Sequence, residues 1–153
     1  MGFTYVPTHI VFWAQGHDPG NVMIAQIRNV SVEVEYFVTD VQIDIKPGSD
    51  PNSINLGSSG VVPVAIFSTS AFDAGSIDPM TITLASAPVQ LKGNGTPQAS
   101  LQDVNGDGLL DLVVLISTEA LQLTETDASA MLEGAGYSGN VFIRGVDFVR
   151  VVP

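Results

Sequence analysis

Residues 103–111 read Asp-Val-Asn-Gly-Asp-Gly-Leu-Leu-Asp, with oxygen-bearing side chains at loop positions 1, 3, 5 and 9 and glycine at position 6. That spacing lets a short loop wrap a hard cation. Asp103, Asn105 and Asp107 each offer a side-chain oxygen, Leu109 offers its backbone carbonyl, and Asp111 ligates directly or through water. Gly108 permits the sharp turn that brings these groups to one centre. Three carboxylates so close in sequence repel one another unless a cation sits between them, whereas a polar hairpin turn needs only one. The expected ion is Ca2+, bound with a Kd on the order of 10⁻⁴ M, the range of extracellular modules. An EF-hand has a bidentate Glu at position 12, but here that position is Val114. The segment Leu112–Ile116 is also β-branched and apolar rather than helical. One or two further oxygens must therefore come from elsewhere, and Asp44, Asp50 and Glu119 are candidates.

Other constellations read more plainly as structure. Gly134-Ala135-Gly136-Tyr137-Ser138-Gly139 matches a dinucleotide fingerprint, but a strand-like segment follows it where a helix is required, so a hairpin loop is expected. Glu33 and Glu35 lie on one face of a strand, roughly 7 Å apart by strand rise. That separation suits a glycosidase pair, and a solvated strand face accounts for it equally. His9 sits in an apolar strand and His17 in a turn, so neither is assigned a metal. No nucleophile elbow is present, no catalytic residue is assigned, and the chain is read as non-enzymatic. Trp13, Tyr5, Tyr36 and Tyr137 are the rings that could stack on a sugar; for Trp13, set in Val-Phe-Trp-Ala, core packing is the expectation.

These groups must be positioned by a chain of 153 residues, enough for one domain, or one domain and a fragment of another. Acids outnumber Lys plus Arg by 16 to 5, giving a net charge of -11, so nucleic acid and anionic membrane surfaces are excluded as partners. Absence of cysteine rules out disulfides and thiolate zinc sites, leaving a metal as the obvious staple. No apolar run reaches the ~18 residues of a membrane helix, so no membrane insertion is expected. Met1–Trp13 has neither a basic leader nor a small-residue cleavage site, and the chain reads as a piece of something longer.

The dominant period is two. Val30–Val38 and Val41–Ile45 alternate apolar and polar residues, and β-rich runs recur at Val61–Phe67, Met80–Ala85, Val89–Leu91, Leu110–Ile116 and Val141–Val152. Turn chemistry separates them at residues 47–52, 57–60, 93–95 and 134–139. This predicts an all-β fold, an antiparallel β-sandwich of jelly-roll or immunoglobulin-like type with little helix. At most a helical turn or two is expected at Thr118–Leu123 and at Thr69–Gly75. A boundary is read near residue 40. Residues 1–40 form an N-terminal β segment, either early strands of the same sandwich or the end of a preceding domain, and 41–153 form the calcium-binding module.

The calcium loop resembles those of dockerins and of the FG-GAP blades of integrin-like propellers. Residues 42–67, Gln-Ile-Asp-Ile-Lys-Pro-Gly-Ser-Asp-Pro-Asn-Ser-Ile-Asn through Val-Val-Pro-Val-Ala-Ile-Phe, resemble the opening of a β module that recurs in large secreted bacterial and archaeal proteins. Asp78-Pro79-Met80-Thr81, the Asp103 loop and a closing hairpin at Ala128–Val152 follow in the same order. The resemblance covers about residues 41–153 and implies secretion or cell-surface display, β architecture and neighbouring domains. It implies no activity. The combined expectation is a non-catalytic accessory module, calcium-stabilised, that binds a carbohydrate or another cell-surface partner. A calcium-rigidified structural spacer and a small glycan-directed hydrolase are the alternatives.

Overall fold

The structure is a computed structural model, described here for residues 37–152. Its strands are β1 (Phe37–Asp40), β2 (Ile43–Ile45), β3 (Ser53–Asn55), β4 (Val61–Ile66), β5 (Ile77–Leu84), β6 (Ala87–Pro88), β7 (Ala99–Gln102), β8 (Asp111–Ser117), β9 (Ser129–Gly136), β10 (Val141–Phe148) and β11 (Arg150–Val152). One sheet has the order β1-β10-β9-β5-β6, a second β2-β4-β8-β7, and a third pairs β11 with β3. The fold is all-β, and its pairings are antiparallel except β1 with β10 and β11 with β3, which run parallel. The only helical pieces among the described residues are single 3-10 turns at Ala74–Ser76 and Thr118–Ala120, shorter than the segments expected.

Alternation explains how the larger sheets meet. On β8, Leu112, Val114 and Ile116 are buried while Val113 and Leu115 on the opposite face are half-buried. These three join Ile45, Val64 and Ile66 from the same sheet, and Ile82, Leu84, Leu132 and Ile143 from the five-stranded sheet, in one core cluster. Two glycines let the backbones approach. A Cβ on Gly134 would lie 3.1 Å from Ile82 Cγ1, and one on Gly145 would lie 2.5 Å from Ile43 Cγ2. Gly134 and Gly136 are therefore strand residues of β9, a correction to the turn expected at 134–139, and the reversal itself occupies Tyr137–Asn140. The stretch Val89–Leu91, expected as a strand, contributes only isolated bridges to Ile116 and Pro97.

Leaving β2, the chain reverses at Lys46-Pro47-Gly48-Ser49, where the Ser49 N–H donates to the Lys46 carbonyl at 2.9 Å and Gly48 has φ +86°. Proline followed by glycine in left-handed geometry is the requirement of a type II turn, so this corner is written in the sequence. Of residues 1–40 only β1 is described. It sits at the edge of the five-stranded sheet with Asp40 opposite Arg144, an exposed ion pair of 2.9 Å that contributes under about 1 kcal/mol. The readings placed on Tyr5, His9, Trp13, His17, Glu33, Glu35 and Tyr36 lie outside the described residues.

Candidate functional site

The Asp103 loop joins two neighbouring strands of one sheet, β7 and β8. Its geometry is organised around Asp103. Oδ1 accepts from the Gly106 N–H at 2.8 Å and the Asp107 N–H at 3.1 Å, and Oδ2 accepts from the Gly108 N–H at 3.0 Å. Gly106 and Gly108 take φ +77° and +86°, conformations that turn those N–H groups inward and that a side chain would strain. Asn105 Oδ1 accepts from the Asp107 N–H, Asn105 Nδ2 donates to Asp107 Oδ2, and Asp107 Oδ1 accepts from the Leu109 N–H. The side chains of Asp103, Asn105 and Asp107 are exposed.

Asp111 differs. It is 0% exposed, the first residue of β8, and each carboxylate oxygen holds a backbone N–H. Oδ2 accepts from Val104 at 2.9 Å, closing the base of the loop, and Oδ1 accepts from Ser68 at 2.9 Å, tying the loop to the chain leaving β4. Ser68 is itself buried. Its Oγ donates to the Leu110 carbonyl and accepts from the Ala74 N–H. The buried Asp111–Ser68 pair thus fastens the loop, the end of β4 and the first 3-10 turn together. Sequence reasoning missed Ser68, because a single serine after an apolar run carries no signal of its partner 43 residues away.

The donor set is entirely oxygen, the chemistry calcium prefers. N–H donors fix a carboxylate without using all its lone pairs, so Asp103 and Asp111 retain acceptor capacity. Among the described residues, however, no three His, Cys, Asp or Glu side chains are grouped to hold a metal ion. The supplementary ligands expected from sequence are placed as follows. Glu119 accepts from Ser59 Oγ at 2.7 Å, while Asp44 and Asp50 line a cavity with Asn52 and Asp147.

Asp147 comes from the end of β10 and fixes that cavity's wall. Its Oδ2 accepts the Ile45 N–H at 2.8 Å, satisfying a donor on edge strand β2, and accepts Asn52 Nδ2 at 3.0 Å. Its Oδ1 accepts the Phe148 N–H. Asp44, on β2, has its carboxyl pushed above the ordinary aspartate value, first by burial and then by the negative charge of Asp147. Among the described residues, the two large exposed aromatics, Tyr137 and Phe148, do not form a patch. Phe148 is 80% exposed, and Tyr137 is exposed in the turn at the opposite end of β10. No helix among the described residues is long and apolar enough to cross a membrane. The chain matches no protein-family model, no curated protein and no solved structure in comparison.

Proposed function

We propose that this chain is a non-catalytic accessory β-sandwich module of a secreted or cell-surface protein, stabilised by Ca2+ at residues 103–111. The observation that supports the reading is the Asp103 carboxylate, fixed by three successive loop N–H groups at the centre of an all-oxygen loop. Asp103, Asn105 and Asp107 hold the ion through side-chain oxygens, Leu109 through its carbonyl, and Asp111 from the base. Calcium there neutralises the loop's acids and locks β7 to β8, which is a stabilising rather than a catalytic role. In this reading the module joins neighbouring domains and meets a carbohydrate or cell-surface partner. The spacer alternative, in which no ligand exists, draws support from the separation of Tyr137 and Phe148 to opposite ends of β10.

Thermal unfolding in 10 mM CaCl2 against excess EDTA tests the loop. With a Kd on the order of 10⁻⁴ M, that concentration adds about 2.7 kcal/mol, a rise in Tm of about 5 °C or more. Magnesium at the same concentration is expected to give far less. Asp107→Ala should abolish the calcium response, whereas Glu125→Gln, an exposed acid elsewhere, should retain it. Equal loss in both variants, or no calcium response in metal-free parent protein, rejects the site.

A further inference from the structure

The turn between Leu91 and Pro97 carries a motif that the calcium reading leaves unused. Asn94-Gly95-Thr96 has the Asn-x-Ser/Thr spacing of an acceptor for N-linked sugar. Asn29-Val30-Ser31, the other match in the chain, lies outside the described residues. A three-residue match arises readily by chance, and what distinguishes Asn94 is its setting. The base of the turn is fixed, with the Gln98 N–H donating to the Gln90 carbonyl at 2.7 Å and the Lys92 N–H to the Thr96 carbonyl at 2.8 Å. Above that base, residues 91–96 are all exposed, and a Cβ on Gly93 or Gly95 would meet no atom within 4 Å. A modifying enzyme can close around this turn without unpairing a strand of either large sheet.

Within the turn the Asn94 amide is oriented. Its Oδ1 accepts from the Thr96 N–H at 3.2 Å and from the Thr96 hydroxyl at 2.7 Å, while Nδ2 has no partner among the described residues. An amide nitrogen is a poor nucleophile, because its lone pair is delocalised onto the carbonyl, and it must shed a proton to attack. Donors on Oδ1 stabilise the negative charge that this loss spreads over the amide. Gly95, at φ +82°, folds Thr96 back to supply them. The other described asparagines differ. Asn52 and Asn105 have Nδ2 bonded to Asp147 and to Asp107, and neither they nor Asn55 and Asn140 have a hydroxyl residue two positions on. We infer that Asn94 is an acceptor for N-glycosylation, its co-substrate an oligosaccharide carried on a lipid pyrophosphate. In the transfer, Nδ2 forms a bond to the sugar's anomeric carbon. The bond from that carbon to the pyrophosphate oxygen breaks, the lipid pyrophosphate leaves with the electron pair, and the Nδ2 proton passes to a base of the transferase. The inference rests on the secreted or cell-surface reading, since the chain must be exported to meet such a donor, and it requires neither the calcium site nor a ligand.

The test is glycopeptide mass spectrometry on the full chain recovered from the medium and cell surface of its native host, beside the cytoplasmic fraction. In the exported chain the peptide containing Asn94 is expected to carry a sugar. Asn94→Gln and Thr96→Ala should each remove that sugar, whereas Thr96→Ser, which keeps the hydroxyl, should retain it. Asn140→Gln, at an exposed asparagine in the turn between β9 and β10, should leave it unchanged. The substituted side chains at 94 and 96 are exposed, so a Tm equal to that of the unglycosylated parent shows that loss of the sugar is not loss of the fold. Exported chain with Asn94 unmodified, whether or not Asn29 carries a sugar, overturns the inference and leaves the module reading standing. Sugar that persists at Asn94 in Thr96→Ala overturns it as well, because the hydroxyl would then play no part. A chain confined to the cytoplasm overturns the secreted reading and this inference together.

Discussion

Asp111→Ala is expected to destabilise the domain by about 3 kcal/mol or more, lowering Tm by roughly 10 °C. The change leaves the Ser68 N–H, which is buried, and the Val104 N–H, which is part-buried, without acceptors, and it opens a void beneath the loop. Each orphaned donor costs about 1–3 kcal/mol, and bonds to a charged acceptor lie at the upper end. Asp111→Asn should fall between parent and alanine, since an amide supplies one acceptor oxygen and sets an NH2 group against the other donor. Urea unfolding in EDTA is the appropriate measurement, because it removes any contribution from calcium. Under those conditions Asp103→Ala, whose lost acceptor serves exposed N–H groups that water can satisfy, should cost distinctly less. Equal losses from the two would mean that burial of Asp111 does not set the energetics.

Gly145→Ala should be comparably damaging for a different reason. A methyl group there would stand 2.5 Å from Ile43 Cγ2 and 3.1 Å from the Val41 carbonyl oxygen. The second contact is backbone, so rotation of one side chain cannot relieve it, and β10 must move away from the residues leading into β2. Overpacking of this kind costs about 1–3 kcal/mol, with the 2.5 Å approach to Ile43 Cγ2 as its main source and the Val41 carbonyl limiting how far the methyl can shift. Ile43→Ala removes the nearer atom. The double variant should therefore be more stable than the sum of the single losses predicts, by about 0.5 kcal/mol or more, in a double-mutant cycle read by denaturant unfolding. Strict additivity would show that the approach of β10 to Ile43 is not the cause.

What could be read directly from the residues was whatever rests on local chemistry. Val61–Phe67 and Leu110–Ile116 announced β4 and β8 because their apolar residues are dense and β-branched, and Pro47-Gly48 announced its turn. β7, with the sequence Ala-Ser-Leu-Gln, gave no such signal, since its identity comes from lying beside β8 rather than from propensity. β9 was misjudged at its end because glycine ordinarily marks a turn, whereas Gly134 is small so that Ile82, Ile143 and Ile77 can crowd its position. The oxygen spacing of residues 103–111 was plain, but spacing does not tell that Asp111 faces inward to Ser68 while Asp107 faces water. The cavity was invisible for the same reason in stronger form. Asp44 and Asp147 are brought together across most of the chain by the approach of β10 to β2, which no local pattern encodes.

The parallel pairing of β1 with β10 has a mechanical consequence. Phe37–Asp40 runs beside Val141–Arg144 in the same direction, so the incoming end of β1 and the outgoing end of β10 point opposite ways. Tension that enters ahead of Phe37 and leaves beyond Phe148 pulls these strands lengthwise past each other. Their ladder bonds are then strained together in shear instead of being peeled open one by one. Under stretching, the quantity that matters is the rate at which this clamp ruptures, and the equilibrium stability of the domain does not report it.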